Sequence, residues 1–223
     1  MADFDIETTI SDVKLFIEKL KSDLPEVFKD DPRTPETEGR TADPSVAPVC
    51  GKVLYEGKLL NCQVSLERSL KEPIIIQEGE DLKITINDEN ISLPDLAENW
   101  IREQAKKILP VKVKAAAEKM GVSYNNIVIK DQKTMWASCS SKNNLNFSYR
   151  ILKTPLIVQD YLIVHELAHL LHFNHGAEFW AEVEKYIPSY KEQRKWLNAN
   201  RYAVMAPLDI KYEPAKEEGQ TNA

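Results

Sequence analysis

The clustering of the histidines is the feature that most constrains the fold of this chain. The sequence holds four histidines, and all of them lie between His165 and His175. The segment from His165 to His169 reads H-E-L-A-H, and two histidines four residues apart lie on one face of a helix. Both rings can then bind one metal ion at about 2.0–2.1 Å. Glu166 projects toward the same side without being a ligand, so the pattern predicts a metal-binding helix with Glu166 as the general base of a hydrolase.

A catalytic zinc ion needs a third protein ligand and one open position for water. His172 lies on the same helical face as His165, but about 10.5 Å along the axis of a regular helix, so both cannot converge with His169 on one ion. His175 fits better, because the asparagine and glycine that flank it allow the helix to end near residue 173 and the chain to swing back. We interpret His172 as an ordinary surface or core residue. We predict one zinc ion (Zn2+) per chain, held by His165, His169 and His175.

Composition and charge exclude several other classes of protein. The net charge of -6 argues against broad attraction to phosphate backbones or acidic membranes. No apolar stretch approaches the roughly 18 residues of a membrane span, and the acidic N-terminus does not resemble a secretory signal. The three cysteines, at positions 50, 62 and 139, are too widely spaced for a Cys-x-x-Cys zinc cluster. These features predict a soluble, cytoplasmic protein with reduced thiols, and no membrane or nucleic-acid partner is expected.

The two ends of the chain predict segments appended to one domain. Residues 11–24 carry apolar side chains at helical spacing, which predicts an amphipathic helix within residues 1–28. Residues 29–49 are polar and hold four prolines, which is typical of a linker. We expect the hydrolase domain at 50–205 and a mobile tail at 206–223. The helix can pack over a groove beside the zinc ion or on the far side of the sheet, and in the first case residues 1–49 restrain access to the site.

The hydrophobic pattern between these segments predicts an α+β fold. Short apolar runs at 52–55, 59–66, 73–77 and 82–86 predict antiparallel strands, and runs at 126–130, 135–139 and 144–147 predict three more. A helix from Ser92 reaches residue 109, is kinked or restarted by Pro110, and ends at Gly121. Later helices are predicted from Thr154 as N-cap to about residue 173, from 176 to 186, and from Ser189, as part of a capping box, to about 201. We expect a small, mostly antiparallel sheet packed on helices, with the HExxH helix under an edge strand built from residues 135–139.

The C-terminal half resembles the YgjP-like metallopeptidase family, which comprises zincin-type zinc hydrolases of bacteria and archaea. The resemblance covers residues 52–201 and rests on the blocks T-M-W-A-S-C-S at 134–140, L-N at 145–146, D-Y-L-I-V-H-E-L-A-H at 160–169, N-H at 174–175, F-W at 179–180, Pro188, and W-L at 196–197. It implies His165, His169 and His175 as zinc residues and Glu166 as the catalytic glutamate. Met135 and Ala137 stand where the family usually has arginine and glycine, and these departures bear on substrate choice.

The function we expect is a zinc metallopeptidase that cleaves a peptide or protein substrate with a zinc-activated water and Glu166 as general base. Tyr149, Arg150 and Tyr161 are candidates for stabilising the oxyanion. We interpret Cys139 as a small buried residue and the tryptophans at 136, 180 and 196 as core anchors.

Three other functions stay open. The same zinc centre could hydrolyse nucleotide phosphoanhydrides, in which case basic side chains should ring the cleft. A basic run from Arg102 to Lys119 suits a WLM- or SprT-like protease that acts on DNA-bound proteins. The last alternative is a non-catalytic, metal-stabilised binding module.

Overall fold

The structure is a computed structural model, and it describes residues 49–212. The predicted amphipathic helix at 11–24, nearly all of the predicted linker and most of the predicted tail lie outside the described residues. The division into segments and one hydrolase domain therefore stays a prediction. The elements of the described chain are β1 (Val49–Tyr55), β2 (Lys58–Leu66), β3 (Ile74–Glu78), β4 (Asp81–Ile86), α1 (Leu93–Met120), β5 (Asn126–Lys130), β6 (Ala137–Cys139), β7 (Asn144–Ser148), a 3-10 helix (Tyr149–Lys153), α2 (Leu156–Ala168), α3 (Ala177–Tyr186) and α4 (Tyr190–Met205).

The described residues divide into two compact units. One comprises Leu54–Lys58 and Asn99–Ala206, and the other comprises residues 49–53, Leu59–Glu98 and 207–212. The first unit holds the 3-10 helix, α2, α3, α4 and the sheet of β5, β6 and β7, and it contains the whole histidine cluster.

The sheet of the N-terminal strands has the order β1-β2-β4-β3. β4 pairs antiparallel with β3 and parallel with β2, with Val64 opposite Ile84. The parallel pair arises because the chain leaves β2, runs to the far edge as β3, and turns back at Gly79 (φ 61°) to fill the position between them. Leu82, Ile84 and Ile86 are buried, which supplies the inward face that alternation predicts.

The second sheet has the order β5-β7-β6, with β7 parallel to β5 and antiparallel to β6. The turn between β6 and β7 contains Asn143 at a φ of 55°, a conformation that asparagine tolerates. The α+β class is confirmed, and the strands form two mixed sheets where one mostly antiparallel sheet was expected. Local alternation predicts that strands exist, but the crossovers that make two pairs parallel depend on contacts distant in sequence.

Helix α1 passes through Pro110 without interruption, although a kink or restart was predicted there. Proline removes one backbone hydrogen bond, but Ile101, Leu109 and Val113 are all completely buried along one stripe on both sides of it. Packing of that stripe holds the helix together. Gly121 ends it with a φ of 66°, as predicted.

Two predicted helix caps differ in the structure. The hydroxyl of Thr154 donates to the carbonyl of Ile151 at 2.8 Å, so it belongs to the preceding 3-10 helix and Pro155 precedes the first residue of α2. The hydroxyl of Ser189 accepts a hydrogen bond from the side-chain Nε2 of Gln193 at 3.1 Å and caps no backbone N–H of α4. Each hydroxyl forms a hydrogen bond with a nearby group other than the backbone N–H groups at the start of the helix, so neither acts as an N-cap.

None of the helices in residues 49–212 combines the length and the apolarity needed to span a bilayer.

Candidate metal centre

Three imidazoles converge at the C-terminal end of α2. His165 lies in α2, His169 follows its last residue in helical conformation, and His175 comes from the loop before α3. One nitrogen of each ring lies within 4.8 Å of the others, and the Nε2 atoms of His165 and His175 are 3.1 Å apart. The fully buried ring of Phe179 lies against all three, with centroid distances of 4.9, 4.6 and 4.7 Å. The structure therefore brings together the three histidines that the sequence predicts as ligands.

The early end of α2 brings His175 to the other two rings. The helix was predicted to run to about residue 173, but it ends at Ala168. The next residues form a tight turn in which the amides of Leu170 and Leu171 donate to the carbonyls three residues before them. The side chains that follow, such as Phe173 (77% exposed), bury little apolar surface, so packing does not stabilise a longer helix. The helix therefore ends seven residues before His175, and the chain between them is free to turn back toward the other two histidines.

His172 lies outside the cluster, but its backbone orients a member of it. The Nδ1 atom of His169 is 3.2 Å from the carbonyl oxygen of His172. If Nδ1 carries the proton, it donates to that carbonyl and leaves the Nε2 lone pair for a metal. The His172 ring itself has its Nδ1 3.7 Å from a carboxylate oxygen of Glu178.

Burial sets the electrostatics of the centre. It lowers the pKa of His165 to about 3, with the neighbouring His169 and His175 acting in the same direction, so the ring is neutral as a metal ligand must be. Burial also raises the pKa of the Glu166 carboxyl to about 8, because only 4% of this residue is exposed.

Two buried polar atoms beside the cluster lack partners among the described residues. They are the Oε2 atom of Glu166 and the Nδ1 atom of His165. A buried carboxylate without a partner is costly unless a cation beside it compensates its charge. Three neutral nitrogen donors with a carboxylate beside them form the donor set of a catalytic zinc site, so the residues present fit a zinc ion.

A cleft of about 280 Å³ opens beside this centre. Helix α2 contacts β6, the strand at one edge of the second sheet, and supplies one wall of the cleft. The lining residues come from the start of β6, from α2 and from α4: Met135, Trp136, Ala137, Tyr161, Leu162, His165, Glu166, Arg194, Leu197 and Asn198.

The family model of the YgjP-like metallopeptidase domain matches residues 11–200. The chain belongs to the YgjP-like metallopeptidase family. The matched residues begin well before residue 52, so the family domain extends further toward the N-terminus than the blocks quoted above. Family membership makes this protein a hydrolase of the metallopeptidase class, with a metal cofactor and peptide or protein substrates.

Other comparisons are more distant. No curated protein matches the chain. Among solved structures, the zymogen of the metallopeptidase abylysin from Pyrococcus abyssi is 22% identical with a TM-score of 0.39, and the match covers 45% of this chain and 99% of that one. The zymogen of jannalysin from Methanocaldococcus jannaschii is 21% identical with a TM-score of 0.37, and the match covers 41% of this chain and 94% of that one.

Of the three oxyanion candidates in this YgjP-like protein, Tyr161 alone lines the cleft. Burial raises the pKa of its phenol to about 12, so it stays a hydrogen-bond donor at neutral pH. Tyr149 and Arg150 are buried elsewhere in the unit, where the Arg150 guanidinium pairs with Asp131 and lies 4.4 Å from the Tyr149 ring. The pairing with Arg150 lowers the pKa of Asp131, as a structural ion pair does.

The aromatic and thiol side chains divide between core and site. Trp196 is 3% exposed and is a core anchor, as predicted. Trp180 is half-buried with its ring 5.6 Å from that of His175, and Trp136 lines the cleft, so both belong to the site. Cys139 is also half-buried, and burial followed by the nearby Glu166 raises the pKa of its thiol. Sulfur from this residue is not among the atoms that converge with the histidines.

Sequence reasoning missed the contribution of α4 to the cleft. Arg194, Leu197 and Asn198 reach it from one face of that helix, at positions i, i+3 and i+4. The sequence indicates only that these three residues share one face of a helix. It does not indicate which surface that face packs against. Arg194 is the one lysine or arginine among the described residues that line the cleft.

Proposed function

We propose that this YgjP-like protein is a single-zinc peptidase, with the ion held by His165, His169 and His175 and with Glu166 as the general base. One observation carries the proposal, namely three imidazole nitrogens within 4.8 Å of one another beside a buried carboxylate whose Oε2 atom has no partner among the described residues. A structural carboxylate at this depth would be expected to have such a partner.

The chain's own groups then divide the work of peptide hydrolysis. When bound, zinc polarises the scissile carbonyl and lowers the pKa of water to about 7. Glu166 accepts the proton of the attacking water on its unpartnered oxygen and returns it to the leaving amine nitrogen as the C–N bond breaks. The Tyr161 phenol donates a hydrogen bond to the oxyanion that develops on the carbonyl oxygen.

Strand β6 is suited to hold the substrate in an extended conformation. Among the strands of residues 49–212 it is an edge strand, paired through Ala137–Cys139 with β7 and with no described strand on its other side. A peptide can add to the other side through main-chain hydrogen bonds, and helix α2 with His165 lies in contact with this strand. The substrate backbone would thus run past the centre.

Charge in the cleft supports a peptide over a nucleotide substrate. A polyphosphate binding site needs several basic groups, and Arg194 is the single lysine or arginine among the described residues that line the cleft.

The basic run of α1 gives little support to action on DNA-bound proteins. Arg102 pairs with Asp131, Lys106 pairs with Glu103, and Lys112 pairs with Asp160. Because acidic neighbours offset these three cations, the run offers less positive charge to a phosphate backbone than its sequence suggests.

The test is hydrolysis of casein, a peptide library and nucleoside triphosphates by full-length protein loaded with zinc. We expect peptide cleavage that a chelator abolishes and zinc restores, and that Glu166→Gln lowers by several orders of magnitude. Glu178→Gln is the matched control, because it removes an exposed carboxylate near His172 and should leave cleavage unchanged. Folded, zinc-loaded protein that cleaves no peptide would instead be a metal-stabilised binding module, and turnover confined to the triphosphates would favour the nucleotide hydrolase.

A further inference from the structure

Among residues 49–212, Arg194 has no carboxylate partner. Its side chain is exposed and lines the cleft. Within residues 49–212 its contact is the ring of Trp180, whose centroid lies 5.1 Å from the guanidinium carbon, and it forms no ion pair there. Arg68, Arg102 and Arg150 each pair with a carboxylate, so a guanidinium in a cleft without such a pair among the described residues is a candidate for a substrate contact.

The guanidinium rests on a platform of packed aromatic rings. Trp180 stacks on Tyr190 with centroids 5.0 Å apart and an interplanar angle of 13°, and Tyr190 is buried. A flat guanidinium over an indole ring combines cation–π attraction with van der Waals contact. This packing restricts the side chain and lowers the entropy lost when it binds a ligand.

The position of Arg194 suits a group next to the scissile bond. The Trp180 ring that carries it lies 5.6 Å from the His175 ring and 5.9 Å from the His165 ring. One aromatic ring therefore separates the cation from the metal ligands, a distance that two extended residues at about 3.4 Å each, together with the length of an acidic side chain, can cover.

We propose that Arg194 binds a carboxylate of the substrate beside the scissile bond, so that the enzyme selects peptides with a negative charge at that position. This proposal rests on the proposed peptidase function. The planar guanidinium matches a carboxylate through two parallel hydrogen bonds, which an amide cannot accept in the same way. Two sources present this chemistry, the side chain of an aspartate or glutamate and the free C-terminus of a short peptide.

A peptide series distinguishes these sources. A sequence that the enzyme cleaves is synthesised with Glu or Gln at each of the two residues on either side of the scissile bond, and each peptide is made with a free or an amidated C-terminus. We expect kcat/KM of the wild type to be about tenfold higher for the carboxylate at one position. Arg194→Gln should abolish this preference and Arg194→Lys should retain part of it. Lys195→Gln is the matched control, since it removes a charge from the neighbouring exposed residue of α4 and should keep the preference.

Binding provides a readout that does not depend on turnover. The same peptides, labelled with a fluorophore, are titrated by anisotropy into zinc-loaded Glu166→Gln and into its double variant with Arg194→Gln. We expect the Kd for the preferred peptide to rise about tenfold in the double variant, with no change for its amide counterpart. Equal kcat/KM and equal Kd across the series would overturn the role of Arg194 while leaving the peptidase intact. A loss in Arg194→Gln that is the same for every peptide would also overturn it. Absence of cleavage with selective binding would overturn the peptidase function instead.

Discussion

Among the described glycines of the unit that holds the metal centre, Gly57 should lower the free energy of unfolding most when it is replaced by alanine. It lies with Glu56 in the turn between β1 and β2, and both residues have positive φ angles, 75° and 49°. The amides of Glu56 and Gly57 donate to the carbonyls of Leu152 and Lys153, so the turn holds the chain just before Pro155 and α2. A Cβ atom on Gly57 would lie 2.7 Å from the Cα and 2.9 Å from the Cγ of Pro155.

The expected cost of Gly57→Ala has two parts. An alanine at this left-handed backbone conformation costs about 1–2 kcal/mol. Two of the close contacts are to backbone atoms of Pro155, which cannot rotate away, and overpacking of this kind costs about 1–3 kcal/mol. We therefore expect the free energy of unfolding to fall by about 3 kcal/mol in total.

Gly121→Ala distinguishes the cost of the left-handed backbone conformation from the cost of the contact with Pro155. Gly121 has a similar φ of 66°, belongs to the same compact unit, and has no atom within 4 Å of the added Cβ. It should cost only the conformational part, about 1–2 kcal/mol. Urea denaturation followed by tryptophan fluorescence measures both variants. If the two losses agree within about 0.5 kcal/mol, the contact with Pro155 contributes nothing and the reasoning is refuted.

Three further predictions concern the metal and access to it. His175→Ala should lower the zinc content measured by atomic absorption to a small fraction of one per chain, whereas His172→Ala should leave it unchanged; full zinc in the former would remove His175 from the ligand set. Glu166→Gln should keep its zinc and its circular dichroism spectrum while losing turnover, and near-normal activity would exclude it as the base. Deletion of residues 1–48, which leaves β1 complete, should preserve zinc and raise peptidase activity; equal activity would mean that the segment does not restrain access.

The convergence of the three histidines could be predicted from the sequence because it depends on short-range geometry. Two histidines four residues apart share a helix face in any folded context, and Glu166 between them follows the same helix. His175 was also predictable, because the residues beside it permit a turn and because His172 is too far along a regular helix. The structure brings His165, His169 and His175 together as expected, although it ends α2 earlier than the apolar pattern indicated.

What surrounds the centre was decided by the tertiary structure. Arg194 and Asn198 face the cleft, although more than twenty residues separate them from His169. Tyr149 and Arg150 looked equal to Tyr161 as oxyanion donors, yet both are buried away from the cleft, where Arg150 pairs with the exposed Asp131. The sequence around these residues does not indicate which of them line the cleft and which are buried elsewhere.

The physical reason lies in the range of the interactions. Helix periodicity and the spacing of the histidines involve residues within about two turns, so the sequence alone determined the helix that carries His165, Glu166 and His169. The cleft needs α4 to lie near the start of β6, a contact to which Arg201 contributes by donating to the carbonyl of Thr134 at 2.6 Å across 67 residues of chain. Because many pairings of apolar faces satisfy the same local pattern, only the packing of the whole unit selects which polar side chains reach the substrate.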